Sequence, residues 1–432
     1  MLKYFVIMAI GALASVLSNR GVAVFNDGFR PLVPQYFEGK ITRKELAAMS
    51  FAISFGLVIG FAIPTSIAAT IILIHCLLLT TDMIGSFCSV TIKGTILAAV
   101  IGALYGFGIL FGLEAIVKAF AYLPYNFLGA LGKVSAPVIV AFAIFPAVAI
   151  AYQHKFAKAV LAASITILVY FLITRVGIIS FGDYKITLNA PGLAMFSGVI
   201  MMIIFAAIVK NSNASSTSQL TAVFSTQVAR IQKNWPFLAA LGGLVAAGAS
   251  LSIIAGDPIS LGLLSKGEIQ SAALAAFARA IGFVPLVLTT AVVTGVYGAV
   301  GCTFVFVIGF LLTGQPVFAF IAGAAMITVE VFLIRFFAKA LDKFPGIREM
   351  GEHIRTAMNK VLEVALLIGS AFAAEAMISG IGAMFVIACF LLNKHAKKPI
   401  VDIAVGPVAA IAFGIIVNIL VVIGLYVVPA AK

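Results

Sequence analysis

Charge is what this chain has least of. Only 10% of its 432 residues are Asp, Glu, Lys or Arg, whereas 63% are hydrophobic, and the mean hydropathy is +1.19. A soluble globular domain carries about 25% charged and roughly 45–50% apolar residues. A water-soluble fold is therefore excluded, and apolar runs recur along the whole length, leaving no room for an appended soluble domain. Cysteine is scarce as well. Cys76, Cys88, Cys302 and Cys389 lie in or beside apolar segments and form no CxxC, which argues against a disulfide framework or a thiolate metal site. The four histidines, His75, His154, His353 and His395, have no His or Cys at ligand spacing. There is no GxxxxGK[ST], GxSxG or HExxH. Neither ATP hydrolysis nor proteolysis is indicated, and no cofactor or metal is expected. The apolar stretch 4–17 is followed by Asn-Arg with no small-residue cleavage site, so it reads as a retained helix.

What is present is a series of membrane-length runs. A spanning helix needs about 20 apolar residues. Candidates lie near 3–19, 46–64, 66–81, 94–117, 134–153, 157–176, 190–209, 236–255, 271–293, 296–313, 316–335, 361–379, 380–393 and 400–428. The runs 66–81 and 380–393 are short enough to be half-helices or re-entrant. The reading is an all-α polytopic transmembrane bundle of about 12–14 spans. Of the 28 Lys and Arg, eighteen fall in one set of loops (Lys40 to Lys44, Lys93, Lys155 and Lys158, Lys210 to Lys233, Arg335 to Lys360, Lys394 to Lys398) and seven in the opposite loops and ends. The remaining three, Arg20, Arg30 and Arg279, fall near or within the membrane. The net charge of +13 is thus a positive-inside signal and not a nucleic-acid footprint. It puts the first set in the cytoplasm and, with fourteen spans, both termini outside.

The domain reading is a first half over 1–210, a Ser/Thr-rich cytoplasmic linker over 211–234, and a second half over 235–432. A charged amphipathic segment at 338–360 is expected to lie on the inner leaflet. Gly28–Val33 (GFRPLV) resembles Gly282–Val287 (GFVPLV), and 143–158 resembles 383–398 in the same order. That order suggests an internal repeat, which under this topology is a parallel one.

Ionisable groups at membrane depth are functional candidates by default. The stretch SNRGVAVFNDGFRPLVPQYFEGK, from Ser18 to Lys40, packs Arg20, Asn26, Asp27 and Arg30 behind the first span. Pro31 and Pro34 exclude a regular helix there. It reads either as a broken, substrate-facing element or as an interfacial re-entry that only positions the next helix. Arg279 lies about eight residues into an apolar span, ahead of Pro285, with Thr289 and Thr290 placed to satisfy carbonyls freed by that proline. It suits an anionic substrate or a buried acid, with Asp27 and Glu375 the first acids to test. Asn126 stands before a Gly-rich entry that resembles a half-helix N-terminus. Glu375, Glu330 and Asp82 are carboxylates that could couple transport to H⁺ or Na⁺. Their structural readings are a helix-packing acceptor, an interfacial ion-pair partner and a helix N-cap, respectively.

The segments AVFNDGFRPLVPQYFEGKITRKELA, ARAIGFVPLVLTTAVVTGVYGAVG and MNKVLEVALLIGSAFAAE resemble the bacterial YhfT family of inner-membrane proteins, and the resemblance runs over essentially the whole chain. It implies a multi-spanning inner-membrane protein of transporter type. It carries over no substrate, mechanism or functional residue. The expectation from the residues themselves is a non-enzymatic secondary transporter for a small polar, anionic metabolite. Its partners are the lipid bilayer, that small molecule and a coupling ion, and the oligomeric state is open. A membrane scaffold or sensory subunit for a cytoplasmic enzyme, docking through 211–234 and 338–360, and a membrane-embedded enzyme are the competing classes.

Overall fold

The computed structural model describes residues 1–181, 184–187, 190–208, 217–341, 345–397 and 399–428. Helix α1 (Leu2–Asn19) runs to an end marked by Arg20, where Gly21 (φ +61°) turns the chain back on itself as β1 (Ala23–Val24). A turn leads to α2 (Leu32–Phe37), which brings the chain out by the end it entered. Next, α3 (Arg43–Leu57), a π-turn at Val58–Ala62 and α4 (Ile63–Ala69) make one irregular pass. Thr70, in the left-handed region, reverses the chain into β2 (Ile72–Leu73), which continues as α5 (Ile74–Phe87). Then come α6 (Ile92–Ala121), short α7 (Leu128–Leu131), α8 (Ser135–Gln153), α9 (Phe156–Val176), the antiparallel hairpin β3 (Ile178–Phe181) and β4 (Tyr184–Thr187), and α10 (Ala190–Ala207).

After α11 (Thr217–Lys233) the same succession returns. Helix α12 (Trp235–Ser250) gives way to β5 (Ile254–Ala255) and a short return helix α13 (Pro258–Leu264). Long α14 (Ile269–Thr294) ends at Gly295 (φ +65°), where β6 (Tyr297–Gly298) turns in and α15 (Phe304–Leu311) follows. The half closes with α16 (Pro316–Leu341), α17 (Pro345–Glu375), α18 (Gly382–Lys394) and α19 (Asp402–Val422).

Packing supports the correspondence. Helix α1 lies antiparallel to α6: Gly11 meets Gly102 and Gly106 meets Ile7, so closely that a Cβ on either glycine would collide with backbone. Small residues of this kind let membrane helices approach without a polar driving force. In the second half α12 meets α16 the same way, Gly242 against Ile327 and Gly323 against Ala246. Asn19, at the end of α1, donates to the carbonyls of Gly85 and Cys88 at the end of α5 (3.0 and 2.9 Å). Ser250, at the end of α12, likewise donates to Leu312 at the end of α15 (2.6 Å). Helices α8, α9 and α10 pack together, and so do α17, α18 and α19, with α8 against α17.

The two halves run in opposite senses. The ends of α1 and α5 lie at the basic end with Arg43, whose guanidinium bonds the Asn19 and Cys88 carbonyls. The start of α12 lies there too, because Arg230 of α11 donates to the Gly21 carbonyl (3.0 Å) and stacks over Phe37. Thus α1 arrives where α12 departs, and the repeat is inverted, contrary to the parallel arrangement the sequence suggested. The motif pairs that suggested it are not equivalent positions. Residues 28–33 form the tip and return of the first hairpin, whereas 282–287 lie inside α14.

The halves are cross-connected: β1 pairs in parallel with β6 (Ala23 with Tyr297) and β2 with β5 (Ile72 with Ile254). Residues 1–210 and 235–432 are therefore interlocked repeats and not neighbouring bundles. The expected linker is largely helix α11, packed on α14 and α16, while its start at 211–216 lies outside the described residues. The expected amphipathic segment 338–360 joins the end of α16 to the first half of α17, which continues as a span; residues 342–344 lie outside the described residues.

Among the described residues eight helices are long and apolar enough to cross a membrane singly, or up to nine if the bent pair Leu128–Ala141 and Ala143–Gln153 counts as one span. Between them lie the shorter apolar helices α5, α12 and α18 and the irregular segments α3–α4 and β6–α15. Of the described loop cations, Arg43 and Arg230 lie together at the end where α1 stops, the basic end of the bundle. Large apolar side chains such as Leu104, Phe111, Phe318 and Leu392 cover its outer wall, as lipid contact requires.

Candidate functional site

The two hairpins enter from opposite ends and meet inside the bundle. Each tip is built on a short polar side chain placed just after the strand. In the first, Asn26 Oδ1 accepts from Gly28 N (2.9 Å), while its Nδ2 donates to Ser54 of α3 (2.9 Å). In the second, Asp257 accepts from Ser260 N (2.9 Å) and Ser260 Oγ (2.7 Å), capping α13 with Pro258 at its first position. Asp82 of α5 fixes the depth of the first tip, its carboxylate accepting from the amides of Phe25 (3.0 Å) and Asn26 (2.7 Å).

Where the tips meet, the chain twice changes from strand to helix, and both new helices start without a side-chain cap: α5 at Leu73 and α15 at Thr303. Their first amides have no intrahelical partner and carry the positive end of the helix dipole. Thr303 sits in the left-handed region, and its buried Oγ1 has no hydrogen-bond partner among the described residues. Beside these ends lies a cavity of about 700 Å³. Asn26, Asp27, Arg30, His75, Arg279 and the 298–301 loop line its depth. Phe25, Phe61, Phe283 and Val287 supply an apolar wall. Arg355, Lys360 and Glu363 of α17 and Asp402 of α19 line its reach toward the basic end.

Arg279 dominates this space. It is 4% exposed, yet among the described residues it forms no ion pair and no hydrogen bond, and its Nε is an orphan donor. It lies over the Phe283 ring (4.4 Å) and is packed so close to Gly256 that a Cβ there would sit 2.9 Å from Nη1. A buried guanidinium left this way is costly unless something else meets it. The other cations of the cavity differ. Arg30, 2% exposed, is held by Asp27 (2.6 Å) and by Thr290 Oγ1 of α14. Lys360 pairs with Glu363 (3.1 Å), and Asp402 with Lys394. Arg355, toward the mouth, has no ion partner among the described residues.

Several sequence candidates prove structural. Arg20 is exposed at the basic end, away from the cavity. Thr290 anchors Arg30 and, like Thr289, bonds Leu286 O, so neither satisfies the carbonyl facing Pro285. Asn126 accepts from Leu128 N (3.1 Å) at the start of α7 and does not line the cavity. Glu375 is half-buried and braces the turn after α17, accepting from Ser379 Oγ (3.0 Å) and the amides of Gly380 and Ala383. It does not meet Arg279, and Asp27 is engaged by Arg30. Glu330 lies behind the cavity, accepting from Tyr297 Oη (2.7 Å) and Cys302 N (2.8 Å), and so holds the loop between β6 and α15. Asp82 serves the hairpin. Asn26, Asp27, Arg30 and Arg279 are the candidates brought together. Sequence reasoning missed Asp257, Thr303 and His75. Asp257 was legible as an Asp-Pro helix start at the place in the second half that Asn26 holds in the first. His75 and Thr303 carry no local signal. Among the described residues no group of three His, Cys, Asp or Glu is placed to hold a metal ion.

Apolar helices, interlocked repeats and a polar interior define the class: a multi-pass α-helical membrane protein. The chain belongs to the YhfT family, described as a protein of unknown function, whose pattern matches residues 3–426. It is 36% identical over 442 residues to "Uncharacterized protein YhfT" of Escherichia coli (strain K12), with 99% of each chain covered. No solved structure matches it.

Proposed function

We propose that this protein is a secondary transporter for a small organic anion, seated in the bacterial inner membrane with its basic end in the cytoplasm. One observation carries the reading: Arg279 is buried at the crossing of two hairpins, beside two uncapped helix starts, and faces a cavity in which no carboxylate of the described residues comes within ion-pair distance of it. Those positive groups converge where a carboxylate or phosphate would be held. Inverted repeats with discontinuous helices at the midplane suit alternating access, because exchanging the conformations of the two repeats turns a site open to one side into one open to the other. The cavity reaches toward the basic end, which corresponds to a cytoplasm-facing state. Arg355, unpaired toward the mouth, draws anions inward.

The test is a thermal-stabilisation screen of the purified protein with acetate, lactate, succinate, benzoate, gluconate and inorganic phosphate. A ligand that binds only the folded state at 100 times its Kd stabilises it by about 2.7 kcal/mol. At least one anion is expected to stabilise the wild type and to be taken up into proteoliposomes. Arg279→Lys should keep the fold and lose most of the binding, because lysine keeps the charge but not the planar fork. Absence of stabilisation by every anion, or full binding by Arg279→Lys, overturns the proposal.

A further inference from the structure

A transporter that concentrates an anion needs a coupling ion, and none of the three carboxylates suggested by sequence is placed to bind one at the cavity. Asp82 is occupied by the hairpin amides, Glu330 lies behind the 298–303 loop, and Glu375 is engaged by the turn at the far end of α17, outside the cavity. The cavity does contain a titratable group that the anion site does not use. His75 is the second residue of α5, in the uncapped first turn. Its ring is gripped edge-on by Phe25 (5.0 Å) and Phe61 (5.4 Å). Its Nδ1 is buried without a hydrogen-bond partner among the described residues, and the rest of the ring opens onto the cavity that Arg279 also lines.

The surroundings decide what this ring can do. Charged groups reach it from three sides. Arg279 comes from α14. Asp27 and Arg30 on the first hairpin are paired with each other, and Asp257 on the second is committed to Ser260. On its own helix, Cys76 contacts Ser66 Oγ, and Asp82 lies two turns on, held by backbone amides. Arg279 and the helix start are therefore the uncompensated charges beside the ring, and both are positive. An imidazolium has no anion to pair with while the cavity is empty. An anion seated at Arg279 supplies one.

We propose that His75 is the proton-binding site of this carrier, taking up one proton from the solvent of the open cavity when an anion binds at Arg279. Anion and proton then travel as a neutral pair. The loaded site carries the same net charge as the empty one, so moving it through the membrane interior adds no charge-transfer cost. The class of transport is anion–proton symport. Phe25 and Phe61 fix the ring, and the absence of a carboxylate or carbonyl at Nδ1 leaves the proton free to come and go with the anion.

This inference rests on the anion-transporter reading, and the experiment separates the two. The probe is whichever of the monocarboxylates acetate, lactate, benzoate or gluconate stabilises the protein most. All four are fully or almost fully ionised, with one negative charge, between about pH 6 and 8.5, as carboxylates with unperturbed values near 4 are. Its Kd is measured across that range by calorimetry, together with proton uptake in weakly buffered solution. One-proton linkage weakens binding by up to tenfold for each unit rise in pH, with uptake approaching one proton per anion. Wild type is expected to show this, and His75→Gln and His75→Asn are expected to bind with a flat pH profile. Should neither variant fold, ¹⁵N-histidine spectra of the His154→Gln, His353→Gln, His395→Gln protein report the His75 ring directly. The expected result is a shift to the protonated pattern on adding the anion. A flat wild-type profile with binding intact, a slope that survives in both variants, or a ring that stays neutral on anion binding overturns the symport proposal and leaves the anion site standing. Binding of succinate or phosphate alone, whose charge one proton does not neutralise, overturns the neutral-pair proposal and leaves the anion site standing, and failure of every anion of the screen to bind overturns the anion reading itself.

Discussion

Replacing Arg279 by methionine should make the protein more stable and functionally dead. Methionine keeps much of the side-chain volume and removes the charge. In the native state the guanidinium is 4% exposed with no ion pair or hydrogen bond among the described residues. Burial of an ion costs several kcal/mol after relaxation, and here no partner offsets it. Against that stands the stacking on Phe283, worth about 2 kcal/mol when desolvated. The weak pull of Asp27 and Asp257, neither within ion-pair distance, adds a little. The balance is a gain of about 1–3 kcal/mol for Arg279→Met in the absence of ligand. Core substitutions mostly destabilise by about 0.5–3 kcal/mol, so a gain is diagnostic. The assay is thermal unfolding of wild type and variant in the same detergent, with and without the best anion of the screen. Wild type should gain about 2.7 kcal/mol at 100 times Kd, whereas the variant should start higher and gain nothing. A lower melting temperature without ligand would mean that Arg279 is a structural ion, and an anion effect preserved in the variant would place the site elsewhere.

Asp82→Asn should loosen the first hairpin, because the carboxylate accepts from two amides, one at 2.7 Å, and hydrogen bonds to a charged acceptor contribute about 1.5–3 kcal/mol. A loss of about 2–3 kcal/mol is expected, read as a lower melting temperature; an unchanged one refutes the pinning role. Sidedness is tested by an impermeant thiol reagent on intact cells. Lys266→Cys, at the end opposite the cationic loops, should be labelled from outside and Glu352→Cys should not; the reverse pattern inverts the topology.

Much was determined by the sequence alone, and for one physical reason. Hydropathy and the Lys/Arg bias are properties of single segments, so they needed no partner to be read. Most of the proposed runs correspond to helices of the bundle, although 66–81 straddles the reversal at Thr70, and the cations Arg43 and Arg230 lie at the same end. Arg279 stood out because a charge inside an apolar run is conspicuous wherever the chain goes. The polar opening after α1 was legible as irregular because Pro31 and Pro34 cannot continue a helix.

The tertiary structure decided everything that depends on pairing between distant segments. The sense of the repeat is fixed by β1 lying beside β6 and β2 beside β5, contacts between Ala23 and Tyr297 and between Ile72 and Ile254 that no local pattern encodes. In a chain this apolar, short matches such as GFRPLV and GFVPLV carry no register. Which carboxylates are free was equally invisible: Asp27, Asp82, Glu330 and Glu375 look alike in sequence, and each proves engaged by donors brought from elsewhere in the chain or from a neighbouring turn. His75 is the converse, an unremarkable residue in an apolar run until folding sets it beside an unpaired arginine. A pKa-active or anion-binding group is defined by its unmet partners, and only the folded chain says which partners are unmet.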